Sequence, residues 1–440
     1  MKHTKRIAAL GAAALLAVTG LSSCSRRPIN TDWRPNPMDI QLTSDSLSVK
    51  KVENLPEDFI LGMDASCVPS LERSGVGFTD FDGKERDVYA ILAENGVNYI
   101  RVRIWNDPYD RQGKGYGGGN CDLENAIEVG RRATEHGMKL LVNFHYSDFW
   151  ADPSKQMDPK AWAGLDIDQK EEALYQYTRD SLIALMEAGV DIGMVQVGNE
   201  TNGAMCGEYG TTDYGWEKIT RLMSAGSKAV RQVCPGALVV LHFTNPETAG
   251  RYAEYGEKLH KYGVDYDIFA SSYYPYWHGT LENLATQLNY ITATYGKKTM
   301  VAETSYAYTT ADTDFYPNTV QAGGGVAGYP ISEQGQADFV RDVVDTAVNA
   351  MTDCIGVFYW EGTWISVGGE SREANEALWE TYGSGWATSY AGSYDPEDAG
   401  KWYGGCAVDN QAFFERNGKA TEALKVFGML KEGSTPDGKE

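Results

Sequence analysis

Short apolar runs alternate with longer amphipathic segments from residue 59 to residue 362. Apolar runs of about four to eight residues, bounded by turn residues, are typical of parallel strands that are buried on both faces. The segments between them carry apolar residues at helical spacing, and several end in glycine, as helices often do. Eight apolar runs follow one another in this way: FILGMDAS, NYIRVRIW, KLLVNFHY, GMVQVGNE, ALVVLHF, DIFASSYY, TMVAETSY and GVFYWEG.

Eight strand–helix repeats predict an α/β fold, a (β/α)8 TIM barrel, in one domain that we assign to residues 55–430. A doubly wound open sheet is the alternative. That fold normally has a glycine-rich phosphate-binding turn after its first strand, and the corresponding stretch, GMDASCVPSLERSG, lacks the GxGxxG spacing.

The first 24 residues have the features of an export signal. Lys2, Lys5 and Arg6 precede an apolar stretch, residues 7–21, which is too short to span a bilayer. The LSSC sequence that follows is similar to the bacterial lipobox, which implies lipidation of Cys24 and attachment to the bacterial outer membrane, at its periplasmic face or the cell surface. The alternative is an ordinary cleaved signal in which Cys24 is incidental.

The ends of the chain are polar. Residues 25–54 contain proline and show no clear period, so we predict a tether, with a short ordered arm as the alternative. Residues 431–440 are predicted to be a C-terminal tail.

The net charge of −22 argues against a nucleic-acid partner. Six histidines and the cysteines beyond Cys24 show no zinc-ligand spacing, which argues against a zinc enzyme. Aromatic residues are abundant, with 27 Tyr and 11 Trp. Such rings can stack on the apolar faces of sugars when they line a cleft, although most of them are expected in the core or at its rim.

Polar side chains occupy the ends of the apolar runs, where a barrel carries its active site. These ends are expected to converge on one polar mouth. The residues concerned are Asp64, Arg101, Arg103, Asn143, His145, Tyr146, Asn199, Glu200, Tyr273, Tyr274, Glu303, Trp360 and Glu361.

Glu200 and Glu303 end the fourth and seventh strands, which lie on opposite sides of a barrel axis. Two facing carboxylates are the equipment of glycoside hydrolysis, with one acting as acid and the other as nucleophile or base. The ionised carboxylate benefits from a cation, for which Arg103 is the candidate. Asn199 is suited to bind a sugar 2-hydroxyl. The alternative is that these residues form structural ion pairs and core contacts.

Several long stretches resemble glycoside hydrolase family 53, the endo-β-1,4-galactanases, within the clan A retaining hydrolases. They are IRVRIWNDPYD, LLVNFHYSDFWADP, GMVQVGNETNGAMCGE, VAETSYAYT, WETYGSGWATSY and YDPEDAGKWYGGCAVDNQA. The resemblance implies cleavage of internal β-1,4-galactosyl linkages in pectic galactan with retention of configuration. It also implies that Glu200 is the acid/base and Glu303 the nucleophile.

Further site residues follow from the resemblance. Positions around the −1 sugar match Arg103, His145, Asn199, Tyr274 and Trp360, and Asp64 and Asn143 join them as candidate substrate-binding residues. Trp277, Trp386 and Trp402 are candidates for further subsites or for framing the groove. A monomer that binds β-1,4-galactan is expected.

The loop after the seventh strand contains ADTDFYPNTV, in which Asp312, Asp314 and Asn318 have a D-x-D-x-x-x-N spacing. Closely spaced oxygen ligands suit Ca²⁺. Bacterial members of the family can carry calcium in this loop, so the resemblance implies a structural Ca²⁺, although Tyr316 stands where the family pattern has histidine. The alternative is an Asx-rich turn without an ion.

Two other functions compete with galactan hydrolysis. Another clan A endo-glycanase, a mannanase or a cellulase-like enzyme, could use the same barrel. A non-catalytic glycan-binding lipoprotein is the second alternative, but a pure binder has no need for either glutamate.

Overall fold

The computed structural model describes residues 47–369 and 371–434, and these residues form the predicted (β/α)8 barrel. The strands are β1 (Ile60–Asp64), β2 (Tyr99–Ile104), β3 (Lys139–Phe144), β4 (Ile192–Val197), β5 (Ala204–Met205), β6 (Glu208–Tyr209), β7 (Leu238–Phe243), β8 (Ile268–Ser272), β9 (Lys298–Thr304) and β10 (Cys354–Tyr359). β5 and β6 form a separate antiparallel hairpin, and the other eight close the barrel. All eight predicted strands are confirmed. The signal segment, Cys24 and residues 25–46 lie outside the described residues.

Helices surround the barrel. They are α1 (Val68–Arg73), α2 (Val88–Glu94), α3 (Leu123–Glu135), α4 (Ile167–Glu187), α5 (Asp213–Val233), α6 (Arg251–Lys261), α7 (Leu281–Tyr295), α8 (Glu333–Asn349), α9 (Arg372–Tyr382) and α10 (Val426–Met429). Polar N-caps fix where several of them begin. The Asp166 side chain accepts from the backbone of Gln169, whose side chain bonds back to Asp166, and this capping box starts α4.

The interior of the barrel changes character along its axis. Its lower half is an apolar cluster of Ile60, Leu141, Met194, Val240, Ile268, Ala270, Met300, Ala302 and Phe358. Because side chains alternate along a strand, the next inward positions of β3, β4, β7 and β8 are two residues further on. Those positions are polar: Asn143, Gln196, His242 and Ser272. The lower layers therefore provide a packed core, and the upper layer provides the floor of a polar site.

A bulge in β9 turns Glu303 toward this site. Met300 and Ala302 already belong to the interior cluster, so strict alternation would point Glu303 outward. Against β8, however, Ser271 pairs with Val301 and Ser272 pairs with Glu303, so β9 contains one extra residue at this point. Bulges next to active sites commonly redirect a side chain in this way.

Residues 47–54, the last part of the predicted tether, lie against the barrel, as the ordered-arm alternative expects. Val49 and Ser434 form an antiparallel bridge with N–O distances of 2.8 and 2.7 Å. Leu47, Val49 and Val52 are buried, so this arm belongs to the folded body. Among residues 47–369 and 371–434, none of the helices combines the length and apolar character needed to cross a membrane.

Candidate active site

Arg101 is the centre of a buried hydrogen-bond network in the upper layer of the barrel. Its Nη1 donates to Asp64 Oδ2 at 3.0 Å, and its Nε donates to Gln196 Oε1 at 3.2 Å. Its Nη2 donates to Asn199 Oδ1 at 2.9 Å and to Glu303 Oε1 at 2.8 Å. One guanidinium thus positions the amide that precedes Glu200 and the carboxylate of Glu303.

Glu200 and Glu303 lie close together. The Ser272 hydroxyl is 2.6 Å from Glu200 Oε1 and 3.5 Å from Glu303 Oε2, so these two oxygens are at most about 6 Å apart, the sum of those contacts. Retaining glycosidases hold their carboxyl groups about 5–5.5 Å apart, and inverting ones about 6.5–9.5 Å apart. The separation of Glu200 and Glu303 therefore suits the retaining class.

The surroundings of the two carboxyl groups differ. Burial, followed by the negative charge of Glu303, raises the pKa of Glu200 well above its usual range. Burial also raises the pKa of Glu303, but the Arg101 guanidinium and the Tyr274 hydroxyl, which donates to Oε2 at 2.9 Å, act in the opposite direction. Glu200 is therefore the better proton carrier of the pair, and Glu303 is the better-stabilised carboxylate.

Backbone geometry ends β4 at this point. Gly198 has φ 87°, and Glu200 itself has a left-handed φ of 44°. A Cβ on Gly198 would lie 2.6 Å from Thr201 Cγ2, so only glycine fits the turn. The strand stops because this turn lifts Glu200 out of the sheet and over the mouth of the barrel.

The cation beside Glu303 is Arg101 rather than Arg103, which corrects the prediction. Arg103 pairs through Nη1 with Glu361, and its Nη2 donates to Gly118 O at 2.7 Å. Its guanidinium carbon lies 4.3 Å from the Trp150 ring centroid. Arg101 and Arg103 point to the same side of β2. Arg103 is one layer higher, where its guanidinium lies among the rings of Trp105, Trp150 and Trp364.

The predicted polar residues of strands β1 and β3 support this arrangement. Asn143 Nδ2 donates to Asn199 Oδ1 at 3.2 Å. His145 Nδ1 accepts from Trp105 Nε1 at 3.1 Å, so a neutral ring carries its proton on Nε2. Both oxygens of Asp64 are engaged, one by Arg101 and one by the Ser66 hydroxyl at 2.6 Å. Asp64 thus anchors Arg101.

Comparison with known families identifies this barrel. The model of Glycosyl hydrolase family 53 matches residues 60–427, a span that contains every barrel strand. The chain belongs to glycosyl hydrolase family 53. It is 57% identical over 397 residues to an endo-β-1,4-galactanase of Bacillus subtilis (strain 168), covering 90% of this chain and 91% of the relative. It is 33% identical over 312 residues to an arabinogalactan endo-β-1,4-galactanase of Humicola insolens, covering 69% and 89%.

Solved structures agree with the family 53 assignment. The GH53 catalytic domain of Ignisphaera aggregans superposes with a TM-score of 0.77 at 38% identity, covering 88% of this chain and all of that domain. A fungal β-1,4-galactanase structure superposes with a TM-score of 0.65 at 29% identity, covering 83% of this chain and 98% of its own.

The predicted tryptophans fall into two groups in this family 53 chain. Trp277 and Trp402 are partly exposed, as a ring that stacks on a sugar must be. Trp386 is fully buried, and its Nε1 donates to Tyr316 Oη at 2.9 Å. It therefore presents no ring face to a ligand, which corrects its prediction as a substrate-binding residue. Trp360 is almost buried, at 6% exposure, and packs against Trp150.

Three carboxylates converge near the loop that follows β9. Oxygens of Asp312, Asp314 and Asp409 lie within 4.8 Å of one another, and all three residues are buried. Among the described atoms, Asp312 Oδ2, Asp409 Oδ1 and Asn318 Oδ1 are buried without hydrogen-bond donors. Burial and the charge of Asp314 raise the pKa of Asp312 to about 10. Such oxygens fit a hard cation.

Tyr316 does not point into this cluster. Its hydroxyl donates to Trp402 O at 3.1 Å and accepts from Trp386. Tyrosine at this position thus leaves the acidic oxygens of the loop in place.

Sequence reasoning missed Asp409, Ser272 and His242 as site residues. Asp409 lies 95 residues beyond Asp314 in the chain, and no local spacing connects them. Ser272 could have been found from its place at the end of an apolar run, directly before Tyr273 and Tyr274. His242 carries the same signal near the end of ALVVLHF.

Proposed function

We propose that this protein is a retaining endo-β-1,4-galactanase that cleaves pectic galactan, with Glu200 as acid/base and Glu303 as nucleophile. The observation that carries the proposal is the shared contact of both carboxyl groups with Ser272, which limits the distance between Glu200 Oε1 and Glu303 Oε2 to about 6 Å. Family membership and relatives named endo-β-1,4-galactanase support the substrate.

The first half of the reaction forms a covalent bond to Glu303. Its carboxylate attacks the anomeric carbon while Glu200 passes its proton to the glycosidic oxygen, and the leaving chain departs with that proton. Arg101 and Tyr274 hold the attacking carboxylate. In the second half, Glu200 takes a proton from a water that attacks the same carbon. The galactosyl ester is released as a hemiacetal of unchanged configuration, and Glu303 is restored.

We propose that Asn199 binds the 2-hydroxyl of the −1 sugar. Its Nδ2 donates to Ala151 O at 2.9 Å, and its Oδ1 accepts from Arg101 and Asn143. This fixed orientation lets the amide contact the sugar in the transition state without reorganisation.

Product analysis tests the activity and its stereochemistry. The enzyme should release oligosaccharides from galactan but not from mannan or carboxymethylcellulose, and NMR of the first products should show the β anomer. Glu200→Gln and Glu303→Gln should each lower kcat on galactan by about 10²-fold or more, while the matched surface variant Glu397→Gln keeps full activity. Preferential cleavage of mannan or carboxymethylcellulose would support a different clan A activity, and binding without turnover would support a glycan-binding lipoprotein.

Calcium is the second part of the proposal. Asp312, Asp314 and Asn318 from one loop and Asp409 from a distant segment would hold Ca²⁺. The ion would neutralise buried carboxylates that otherwise repel one another, and it would join the two segments. The oxygens without hydrogen-bond donors support this proposal.

Thermal denaturation tests the ion. Chelator should lower the melting temperature by about 5 °C or more, and Ca²⁺ should restore it where Mg²⁺ does not. Asp314→Asn should abolish this dependence, and the exposed control Asp58→Asn should retain it. Identical melting curves in chelator and in Ca²⁺ would support an Asx-rich turn without an ion.

We further propose that Cys24 carries a lipid that holds a monomeric enzyme at the bacterial outer membrane. The basis is the sequence of residues 1–24. Cys24→Ser should move the protein from the membrane to the soluble fraction, while Cys354→Ser should leave it in the membrane. A parent protein that is already in the soluble fraction would favour an ordinary cleaved signal, and membrane retention of Cys24→Ser would contradict lipidation of Cys24. Protease accessibility on intact cells distinguishes the cell surface from the periplasmic face.

A further inference from the structure

A buried chain of hydrogen bonds runs from His242 through Ser272 to the Glu200 carboxyl group. His242 Nε2 lies 2.9 Å from Ser272 Oγ, and Ser272 Oγ lies 2.6 Å from Glu200 Oε1. His242 comes from β7 and Ser272 from β8, and both are fully buried. The mechanism above uses neither residue.

The direction of these hydrogen bonds follows from the atoms around His242 Nδ1. Two donors point to it, Gln196 Nε2 at 3.1 Å and the Glu200 N–H at 3.4 Å. Asn199 Oδ1 also lies 3.2 Å away, but this oxygen already accepts from Arg101 and Asn143. Burial and the nearby Arg101 lower the pKa of His242, so the ring is neutral. With Nδ1 as an acceptor, the ring proton lies on Nε2 and is donated to Ser272. The Ser272 hydroxyl must then donate onward.

Two carboxylates lie near that single hydroxyl proton, and distance decides between them. Glu200 Oε1 is at 2.6 Å, and Glu303 Oε2 is at 3.5 Å. Glu303 Oε2 also accepts from Tyr274 at 2.9 Å. The Ser272 hydroxyl therefore donates its hydrogen bond to Glu200 Oε1 and not to Glu303.

We infer that Ser272, oriented by His242, is a positioning residue for the acid/base Glu200, an inference that rests on the proposed function. The Ser272 hydroxyl donates a hydrogen bond to Glu200 Oε1, and the catalytic proton is thereby confined to Oε2. Oε1 accepts from Ser272 both when Glu200 is protonated on Oε2 and when it is ionised. The same arrangement therefore serves both halves of the reaction, and neither the Ser272 nor the Glu200 side chain has to rotate between them.

Removing the Ser272 hydroxyl should impair proton transfer by Glu200 and leave the binding of galactan nearly unchanged. The Ser272 hydrogen bond opposes the rise in the pKa of Glu200 caused by burial and Glu303, so its loss raises that pKa further. The other groups around Glu200 that carry or can carry charge stay in place, and they are Arg101, Asp152, His242, Tyr252, Tyr274 and Glu303.

The test compares Ser272→Ala with its neighbour Ser271→Ala. Ser271 is on the same strand, and its hydroxyl bonds to Tyr252 and to the Ser272 carbonyl rather than to Glu200 or Glu303. Ser272→Ala should lower kcat on galactan by about 10- to 100-fold with KM nearly unchanged. On an aryl β-galactobioside with a dinitrophenol leaving group, which needs no proton, the first step should slow by less than about 3-fold. The basic limb of the pH profile should move to higher pH.

Controls separate this inference from the function on which it rests. Ser271→Ala should behave like the parent, and Ser272→Thr should recover most of the lost rate. Ser272→Cys keeps the size with a weaker donor and should shift the same parameters to a smaller extent, which covers a failure of the alanine variant to fold. Equal losses on both substrates, or an unmoved basic limb, would overturn the inference. If the parent does not cleave galactan, the proposed function itself fails.

Discussion

Arg101 and Glu303 form a buried ion pair in which Nη2 donates to Oε1 at 2.8 Å. The same nitrogen donates to Asn199, directly before Glu200. The residue that stabilises the proposed nucleophile is thus also the residue that orients the neighbour of the proposed acid. A shift of Arg101 would disturb both carboxyl groups together.

Arg101→Lys should therefore impair catalysis more than a charge-conserving change normally does. An ammonium group cannot reproduce the fork that reaches Asp64, Asn199 and Glu303. We expect kcat/KM on galactan to fall by about 10²- to 10³-fold. Because the guanidinium lowers the pKa of Glu303, weakening that contact raises it, and the acidic limb of the profile of kcat/KM against pH moves to higher pH. Arg73→Lys on the surface is the control, and an unmoved acidic limb would contradict the assignment.

The fold could be predicted because the strands of a parallel barrel are buried on both faces. All eight apolar runs became barrel strands, and Glu200 and Glu303 met as expected. The choice between Arg101 and Arg103 could not be made, because both point inward from β2 and only the relative heights of the strands decide which one reaches Glu303. The bulge in β9 was equally invisible, since it is a property of pairing with β8 and β10.

Contacts between distant segments were the other gap. Asp409 reaches the loop of Asp312 only through the folded C-terminal segment, so the D-x-D-x-x-x-N spacing captured two of the three clustered carboxylates and missed Asp409. Val49 joins the body by pairing with Ser434, and the polar composition around it suggested a tether. Local pattern predicts local structure well, and neither contact is local.

The charge of Glu303 should be measurable in the titration of Glu200. That negative charge is the second cause, after burial, of the raised pKa of Glu200. In Glu303→Gln the charge is gone, so ionisation of Glu200 becomes easier and its pKa should fall. Infrared titration of the protonated carboxyl band in Glu303→Gln, with the double variant Glu200→Gln/Glu303→Gln as the blank, measures this shift. A rise would contradict the proposed electrostatic coupling.

Arg103 should matter chiefly for stability. It pairs with buried Glu361 and lies over Trp150, so Arg103→Met leaves a carboxylate without its cation in the interior. Breaking a buried pair from one side costs about 3–5 kcal/mol. Urea denaturation should show a loss of that size, whereas Arg73→Met in an exposed pair with Glu128 should cost about 1 kcal/mol or less. The acidic limb of the pH profile should remain where it is, unlike that of Arg101→Lys.

Gly198→Ala should strain the turn after β4 and thereby impair catalysis. The position has φ 87°, and an added Cβ would lie 2.6 Å from Thr201 Cγ2, so the turn must shift. A left-handed conformation costs a residue with a side chain about 1–3 kcal/mol, and the shift displaces Glu200 two residues later. We expect a lower melting temperature together with a drop in kcat of about 10-fold or more. Gly236→Ala is the matched control, because a Cβ added there would meet no atom within 4 Å and its φ is not left-handed. If both variants melt alike and both retain full kcat, the turn does not hold Glu200 in place.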